Sequence, residues 1–176
     1  MLLIELKARL NGLEGVRSNL LQSGAQCSGS FHQIDTCFRV PKGNLKIRET
    51  EGQASAAIIF YERPNIPHIK KSYVMLIQAQ PGDIAKELLT KFLPTKVIVE
   101  KIREIYILKE TNVHLDQVTR LGNFIGLEQP TPDEASEIEK SRSLLADLCM
   151  KLGVKEEDLE ALSCADLLLA QARGCR

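Results

Sequence analysis

The chain of 176 residues has no excess of either charge: 23 basic side chains stand against 23 acidic ones, for a formal net charge of zero. That balance excludes a general electrostatic grip on DNA or on an anionic membrane, so any charge-driven function must come from local arrangement. Long apolar runs are also missing. The longest, such as Ala56 to Tyr61, fall far short of the ~20 residues of a membrane-crossing helix, and the chain is not expected to span a bilayer. Met1-Leu2-Leu3-Ile4 runs straight into Glu5 and Lys7 without a basic leader or a small-residue cleavage site, so a cytoplasmic protein is expected. The five cysteines, Cys27, Cys37, Cys149, Cys164 and Cys175, include no C-x-x-C pair. An odd, scattered set suits neither a disulfide framework nor a zinc knuckle, and reduced bystanders are expected. No P-loop, G-x-G-x-x-G, H-E-x-x-H or G-x-S-x-G occurs, which disfavours the usual nucleotide and hydrolase folds.

What is present suffices for a real core. Apolar residues make up 44% of the chain, charged residues 26%, and prolines number only 7, so a folded domain is expected rather than disorder. Along the first three quarters the period is two, at Ile4 to Leu10, Ala56 to Arg63, Tyr73 to Ile77, Val97 to Ile107 and Val113 to Val118, and these stretches predict strands. Turn chemistry separates them at Pro41-Lys42-Gly43-Asn44, Glu51-Gly52, Pro64-Asn65-Ile66-Pro67 and Pro81-Gly82-Asp83. Two helices interrupt this many-stranded, mostly antiparallel pattern. One starts near Leu13 with Val16, Leu20 and Leu21 in helical spacing, the other follows Asp83 with Ile84, Leu88 and Leu89, and each should cover the outside of the sheet. From Thr131 the period changes. Thr131-Pro132-Asp133-Glu134 predicts a capped helix start, with Ile138, Leu144, Leu145 and Leu148 on one stripe and Gly153 as its end. A second box, Ser163-Cys164-Ala165-Asp166, opens a last short helix. The C-terminal apolar stripe is expected to pack against the barrel or sheet wall. Residues 1–176 read as one α+β unit, with strands and two covering helices over 1–130 and helices over 131–176.

The charges alternate with the apolar residues. Glu5, Lys7 and Arg9 share one face of the first strand, and Lys46 with Arg48, then Lys101 with Arg103, repeat the i, i+2 pattern; Arg63 is in register with Tyr61 and Ile59. Spacing leaves two readings open. The faces can be the solvated side of amphipathic strands, or they can point into a closed barrel, where crowded cations at low dielectric would require an anion. A few carboxylates, Glu5, Asp116 and Glu128, share these faces. That is the composition expected where a divalent metal bridges protein and polyphosphate, because magnesium keeps most of its shell as water and phosphate oxygen.

Glu5-x-Lys7-x-Arg9, Gln33-Ile34-Asp35-Thr36-Cys37-Phe38, Pro41-Lys42-Gly43-Asn44-Leu45-Lys46-Ile47-Arg48-Glu49, Tyr61-Glu62-Arg63-Pro64, Glu100-Lys101-Ile102-Arg103, His114-Leu115-Asp116-x-Val118 and Leu121-Gly122-x-Phe124 together resemble the CYTH superfamily of triphosphate tunnel metalloenzymes. Within it the chain is most similar to the class IV adenylate cyclase branch, in order from Glu5 to Leu168. The resemblance implies a closed, eight-stranded antiparallel barrel with flanking helices and a helical C-terminus, open at both ends, that binds a triphosphate in its lumen with Mg2+ or Mn2+. Relatives cyclise ATP to cyclic AMP and pyrophosphate, or hydrolyse inorganic tripolyphosphate, thiamine triphosphate or RNA 5′-triphosphate ends. Carried over by motif, Lys7, Lys46, Arg48, Arg63, Lys101 and Arg103 would hold phosphate oxygens, with Arg9 added because it shares their face. Glu5, Asp116 and Glu128 would serve the metal, and Glu5, Lys7, Arg103 and Asp116 the chemistry. One of Lys70 and Lys71 would add a phosphate contact. The implied partner is a small triphosphate or polyphosphate, with no DNA or membrane, for a monomer or homodimer.

Two departures fall among the metal-side carboxylates. The family's opening E-x-E-x-K has Leu3 in its first position, and the E-x-E of the last strand has Gly126 in its first. Either one metal is held by the remaining carboxylates, or the protein is a polyphosphate-binding module with weak turnover. His114, in register with Asp116, suits either a general base or a neutral donor to phosphate. His32 and His68 flank turns and are expected at the surface; Glu49, Glu62, Glu100 and Glu104 have the opposite parity from their basic neighbours and are expected on the outer face.

Overall fold

The computed structural model describes residues 1–174, so Cys175 lies outside the described residues. Eight strands form: β1 (Leu2–Leu10), β2 (Gln26–Phe38), β3 (Asn44–Thr50), β4 (Ala56–Glu62), β5 (Lys70–Ala79), β6 (Thr95–Leu108), β7 (Thr111–Val118) and β8 (Gly122–Pro130). They close into an antiparallel barrel in the order β1-β5-β4-β3-β2-β6-β7-β8, with β8 returning to β1 from Leu3 opposite Pro130 to Leu10 opposite Asn123. Closure removes every open edge. It also gives the strand faces unequal fates, because one looks into the lumen and the other outward. Four helices complete the chain: α1 (Glu14–Gln22), α2 (Gly82–Phe92), α3 (Ala135–Leu152) and α4 (Cys164–Gly174). Among the described residues, no helix is long and apolar enough to cross a membrane.

The largest core lies outside the barrel. Ile4, Leu6 and Ala8 of β1, Val113 and Leu115 of β7, and Ile125 and Leu127 of β8 pack under Val16 and Leu20 of α1 and Ile138, Leu145, Leu148 and Leu152 of α3. Each fully buried aliphatic there contributes about 1.5–3 kcal/mol. These are the partners of Glu5, Lys7, Asp116 and Glu128 in the two-residue period, so burying them under helices turns the charged set inward. On the opposite wall, Ala85, Leu89 and Leu93 cover Phe38, Ile47 and Ala56. Gly82 permits this approach, since a Cβ there would stand 2.7 Å from the Ala56 nitrogen.

Five expectations change. Leu144, expected on the apolar stripe of α3, is exposed, while Ile138, Leu145 and Leu148 are buried. α2 packs the partly buried Ala85 and Leu89 against the barrel and leaves Ile84 and Leu88 exposed, because its close start at Gly82 fixes the rotation of the helix. Leu21 of α1 is exposed as well, leaving Val16 and Leu20 as its buried contacts. Thr131 is not the cap of α3, which begins at Ala135 after Glu134. The Thr131 amide still donates to Leu2 O, and its hydroxyl bonds Gln129 O and Ser141 Oγ, each at 2.9 Å, so sheet pairing holds this residue extended. Finally, the barrel is not open at both ends. α4 packs Ala165, Leu167 and Leu168 onto Cys37, Val99, Val118 and Phe124, residues of the lumen face, and thereby stops one mouth instead of lying on the wall. The box that starts it forms as expected: Ser163 Oγ accepts from the Asp166 amide at 3.1 Å and donates to Asp166 Oδ2 at 2.6 Å.

Candidate active site

The lumen holds a cavity of about 350 Å³. Six cations line it, Lys7, Lys46, Arg48, Arg63, Lys101 and Arg103, against four carboxylates, Glu5, Asp35, Asp116 and Glu128, an excess of two positive charges in a chain that is neutral overall. The strands supply them row by row. Asp35 faces Arg48 across β2 and β3, Arg103 faces Asp116 across β6 and β7, and Glu5 faces Glu128 across β1 and β8.

Asp35 is the hub, and the alternation of charges did not single it out. Its Oδ1 accepts from Arg48 Nε at 2.6 Å, while its Oδ2 accepts from Arg48 Nη2 and Lys46 Nζ at 2.9 Å and from Lys101 Nζ at 2.8 Å. Burial alone would raise its pKa; Arg48, Lys101 and Lys46 overcome that and hold the carboxyl well below its ordinary range. The cost appears on the cations. Burial and the Arg48 guanidinium push the Lys101 ammonium down to about 7, and the same two causes lower Lys46. β2 hides this residue from pattern analysis because polar side chains such as Gln33 and Thr36 occupy both of its faces. The nearest signal was its place in the Gln33-to-Phe38 motif.

The second cluster is more rigid. Arg103 grips Asp116 by a fork, Nε to Oδ1 and Nη2 to Oδ2, both 2.6 Å, the bidentate geometry that makes guanidinium–carboxylate pairs strong. Burial opposes ionisation of Asp116, but Arg103 holds its carboxyl far below the usual value. Both carboxylate oxygens of Asp116 therefore accept from Arg103. Arg63 bonds Glu5. Glu128 keeps 34% of its side chain open to the lumen; burial works to raise it, and His114 and Arg103 lower it. Burial and Arg103 lower His114 below its ordinary value, and its Nδ1 lies 3.5 Å from Glu128 Oε1 without making a hydrogen bond.

Other members sit at the edge. Lys7 Nζ reaches the α4 end, 3.3 Å from Leu162 O and 3.1 Å from Cys164 Sγ, and stands 4.2 Å over the Phe124 ring. Arg9 is not among the lining residues; its Nε bonds Glu160 at 2.9 Å. Lys70, the Cα partner of Glu5, is buried, donates to Ile66 O at 2.7 Å, and is pushed down to about 8 by burial and Arg63. Lys71 points outward, 3.8 Å from Asp133. The outer-face glutamates are paired as well as solvated, Glu49 with Lys86, Glu62 with Lys42 and Glu104 with Arg17, and His32 bonds Glu100.

The profile of the CYTH domain matches residues 1–162. The chain belongs to the CYTH family. No curated protein matches it in sequence at a significant level. Among solved structures, the PH1012 protein of Pyrococcus horikoshii OT3 is 27% identical and superposes with a TM-score of 0.84, covering 94% of this chain and 98% of that one. A Vibrio parahaemolyticus protein provisionally assigned as an adenylate cyclase shares 19% identity with a TM-score of 0.80, covering 96% and 98%. HpAC1 of Hippeastrum, an adenylyl cyclase candidate described as having a dominant triphosphatase activity, shares 16% with a TM-score of 0.63, covering 98% and 96%. The last two likenesses concern the fold. The closed barrel of this CYTH chain is the tunnel that the family implies, here stopped at one end.

Whether a divalent ion suits this CYTH lumen depends on its donors. Among the described residues, no group of three or more His, Cys, Asp and Glu side chains converges as a cage. With Asp116 held by Arg103, Glu5 and Glu128 remain, facing each other across neighbouring strands. Gly126 lacks the side chain that would sit there, where a Cβ would be in ordinary contact with His114 at 3.8 Å. Two carboxylates with space for water and phosphate oxygen fit magnesium or manganese bound together with a polyphosphate.

Proposed function

We propose that this CYTH protein binds a triphosphate in its lumen and hydrolyses it. The observation that carries the reading is the set of six basic side chains against four carboxylates lining the barrel cavity, a formal excess of two positive charges. A triphosphate ester carries about four negative charges near neutrality, so the lumen and one divalent ion together would match it. Lys46, Arg48 and Lys101 are already gathered on Asp35. A phosphate entering there would share these donors with the carboxylate at little rearrangement, which is the preorganisation that phosphoryl transfer demands.

Arg103 is locked in place by Asp116 and would stabilise charge on the equatorial oxygens in the transition state. Glu5 and Glu128 would hold the ion, which supplies charge neutralisation at the phosphate oxygens. His114, whose Nδ1 makes no hydrogen bond and lies next to Glu128, would take a proton from a water on the Gly126 side. Lys7, tied to the α4 segment, would close on the anion from the stopped end. Hydrolysis would have that water attack the γ-phosphorus and release orthophosphate, whereas in cyclisation of ATP the ribose 3′-hydroxyl would attack the α-phosphorus and pyrophosphate would leave.

One assay separates the outcomes. With manganese present, the protein is incubated with tripolyphosphate and with ATP, and orthophosphate, pyrophosphate and cyclic nucleotide are measured. Orthophosphate release is expected. Cyclic AMP with pyrophosphate would replace hydrolysis by cyclisation, and binding without any product would reduce the protein to a polyphosphate-binding module. In the same preparation Arg103→Ala should weaken tripolyphosphate binding by about 1.5–3 kcal/mol, the scale of hydrogen bonds to charged groups.

A further inference from the structure

The end of the cavity remote from α4 has a different chemistry from its floor. On β1 the lumen row runs Leu3, Glu5, Lys7, and Leu3 is buried. On β5 the lumen row runs Lys70, Ser72, Val74, Leu76, with Ser72 opposite Leu3. Ile59 faces Leu76 across β4 and β5, and Ile105 completes this apolar collar on β6. Leu76 is 49% exposed although it lines the cavity, so its apolar surface is presented to whatever occupies the mouth. At the boundary between collar and cations sits the Ser72 hydroxyl. It is 1% exposed, lines the cavity, and has no hydrogen-bond partner. A buried hydroxyl left unpaired is costly, and its position marks where a ligand oxygen belongs.

Resting on the reading of the lumen as a triphosphate site, we propose that the substrate is a triphosphate ester whose organic group is uncharged and apolar. Its phosphates lie on the cationic floor, its bridging ester oxygen accepts from Ser72, and its organic group fills the collar of Leu3, Ile59, Val74, Leu76 and Ile105. Inorganic tripolyphosphate would leave the collar wetted. Apart from the Ser72 hydroxyl and His114, the cross-strand partner of Ile105, a polar base would meet aliphatic walls there. The exchange of a family carboxylate for Leu3 is then a change of specificity: it removes a charge from the wall and extends the apolar surface by one side chain.

The test is a calorimetric titration of the full chain with tripolyphosphate and with methyl, n-butyl and n-hexyl triphosphate. Affinity should rise along the esters by roughly two- to fourfold per methylene buried, with an increasingly negative heat-capacity change. Leu3→Gln should flatten the series while leaving tripolyphosphate binding within about twofold. Leu76→Gln, at the exposed rim where folding is not at stake, should reduce the slope independently if the first variant does not fold. Equal affinity for tripolyphosphate and every ester in the native protein would overturn the apolar-group assignment and leave the triphosphate site standing. Failure of all four ligands to bind would overturn the triphosphate site itself, and the assignment with it.

Discussion

Asp35 shows how much of this lumen is decided by a single carboxylate. Three cations converge on its two oxygens within 2.6–2.9 Å, and removing the charge would leave them facing one another in a dry site. Breaking a buried ion cluster by deleting one partner costs about 3–5 kcal/mol. Asp35→Asn should therefore lower unfolding stability by about that amount in a urea titration, and tripolyphosphate should restore part of it by supplying the missing negative charge. Loss of stability with no recovery on adding tripolyphosphate would show that the three cations do not meet the anion. Sequence alternation could place Lys46, Arg48, Lys101 and Arg103 on one face, because side-chain direction in a strand depends only on parity. It could not place Asp35 at their centre. Which carboxylate reaches which cation is set by the register between β2 and its neighbours, and register is a property of pairing, absent from any one strand.

At the scale of elements, the same limit explains what was legible. Strands with one face buried under helices, β1 and β7, announce themselves by clean alternation. β2 does not, because it presents polar side chains on both faces and carries a register shift between Cys27 and Gly29. Of the two capping boxes, Ser163 forms because its segment leaves the barrel before the helix starts, whereas Thr131 is still held by Leu2. α4 is the element whose role the sequence hid, since an apolar stripe fits a barrel mouth as well as a barrel wall. Its N-terminus brings Ser163, Cys164 and Ala165 to the cavity, and the preceding residue, Leu162, holds Lys7 through its carbonyl. Ser163→Ala should cost about 1 kcal/mol, the scale of a lost N-cap, and should raise amide exchange selectively in α4 and in the Glu160–Leu162 segment that bonds Lys7 and Arg9. Uniform destabilisation without faster exchange there would mean that α4 is part of the global cooperative unit and not a separable stopper.

For the whole molecule the decisive fact is the distribution of charge. The chain is neutral overall while its lumen carries an excess of two positive charges, so the exterior must carry the compensating two negative ones. Long-range steering of an anion is then weak, and affinity should reside in the buried groups, where salt screens little. It should therefore follow pH. Burial and Arg48 push Lys101 down to about 7, and burial and Arg63 push Lys70 down to about 8; a bound anion would raise both. Below pH 7 the ammonium groups are already charged in the free protein, and binding needs no proton. Above it, binding must take protons up, so tripolyphosphate affinity should fall by up to about tenfold per pH unit for each lysine protonated. The stability of the free protein should run the other way. Both lysines titrate in the fold below their ordinary 10.5, so between about pH 7 and 10 the unfolded chain holds more protons than the folded one, and stability rises with pH. Calorimetry of tripolyphosphate binding at pH 8 in buffers of different ionisation enthalpy should register net proton uptake, and Lys101→Met should remove most of it. Affinity and stability rising together across that range would place the titrating groups outside the lumen, because only cations strained by burial and relieved by an anion give the two curves opposite slopes.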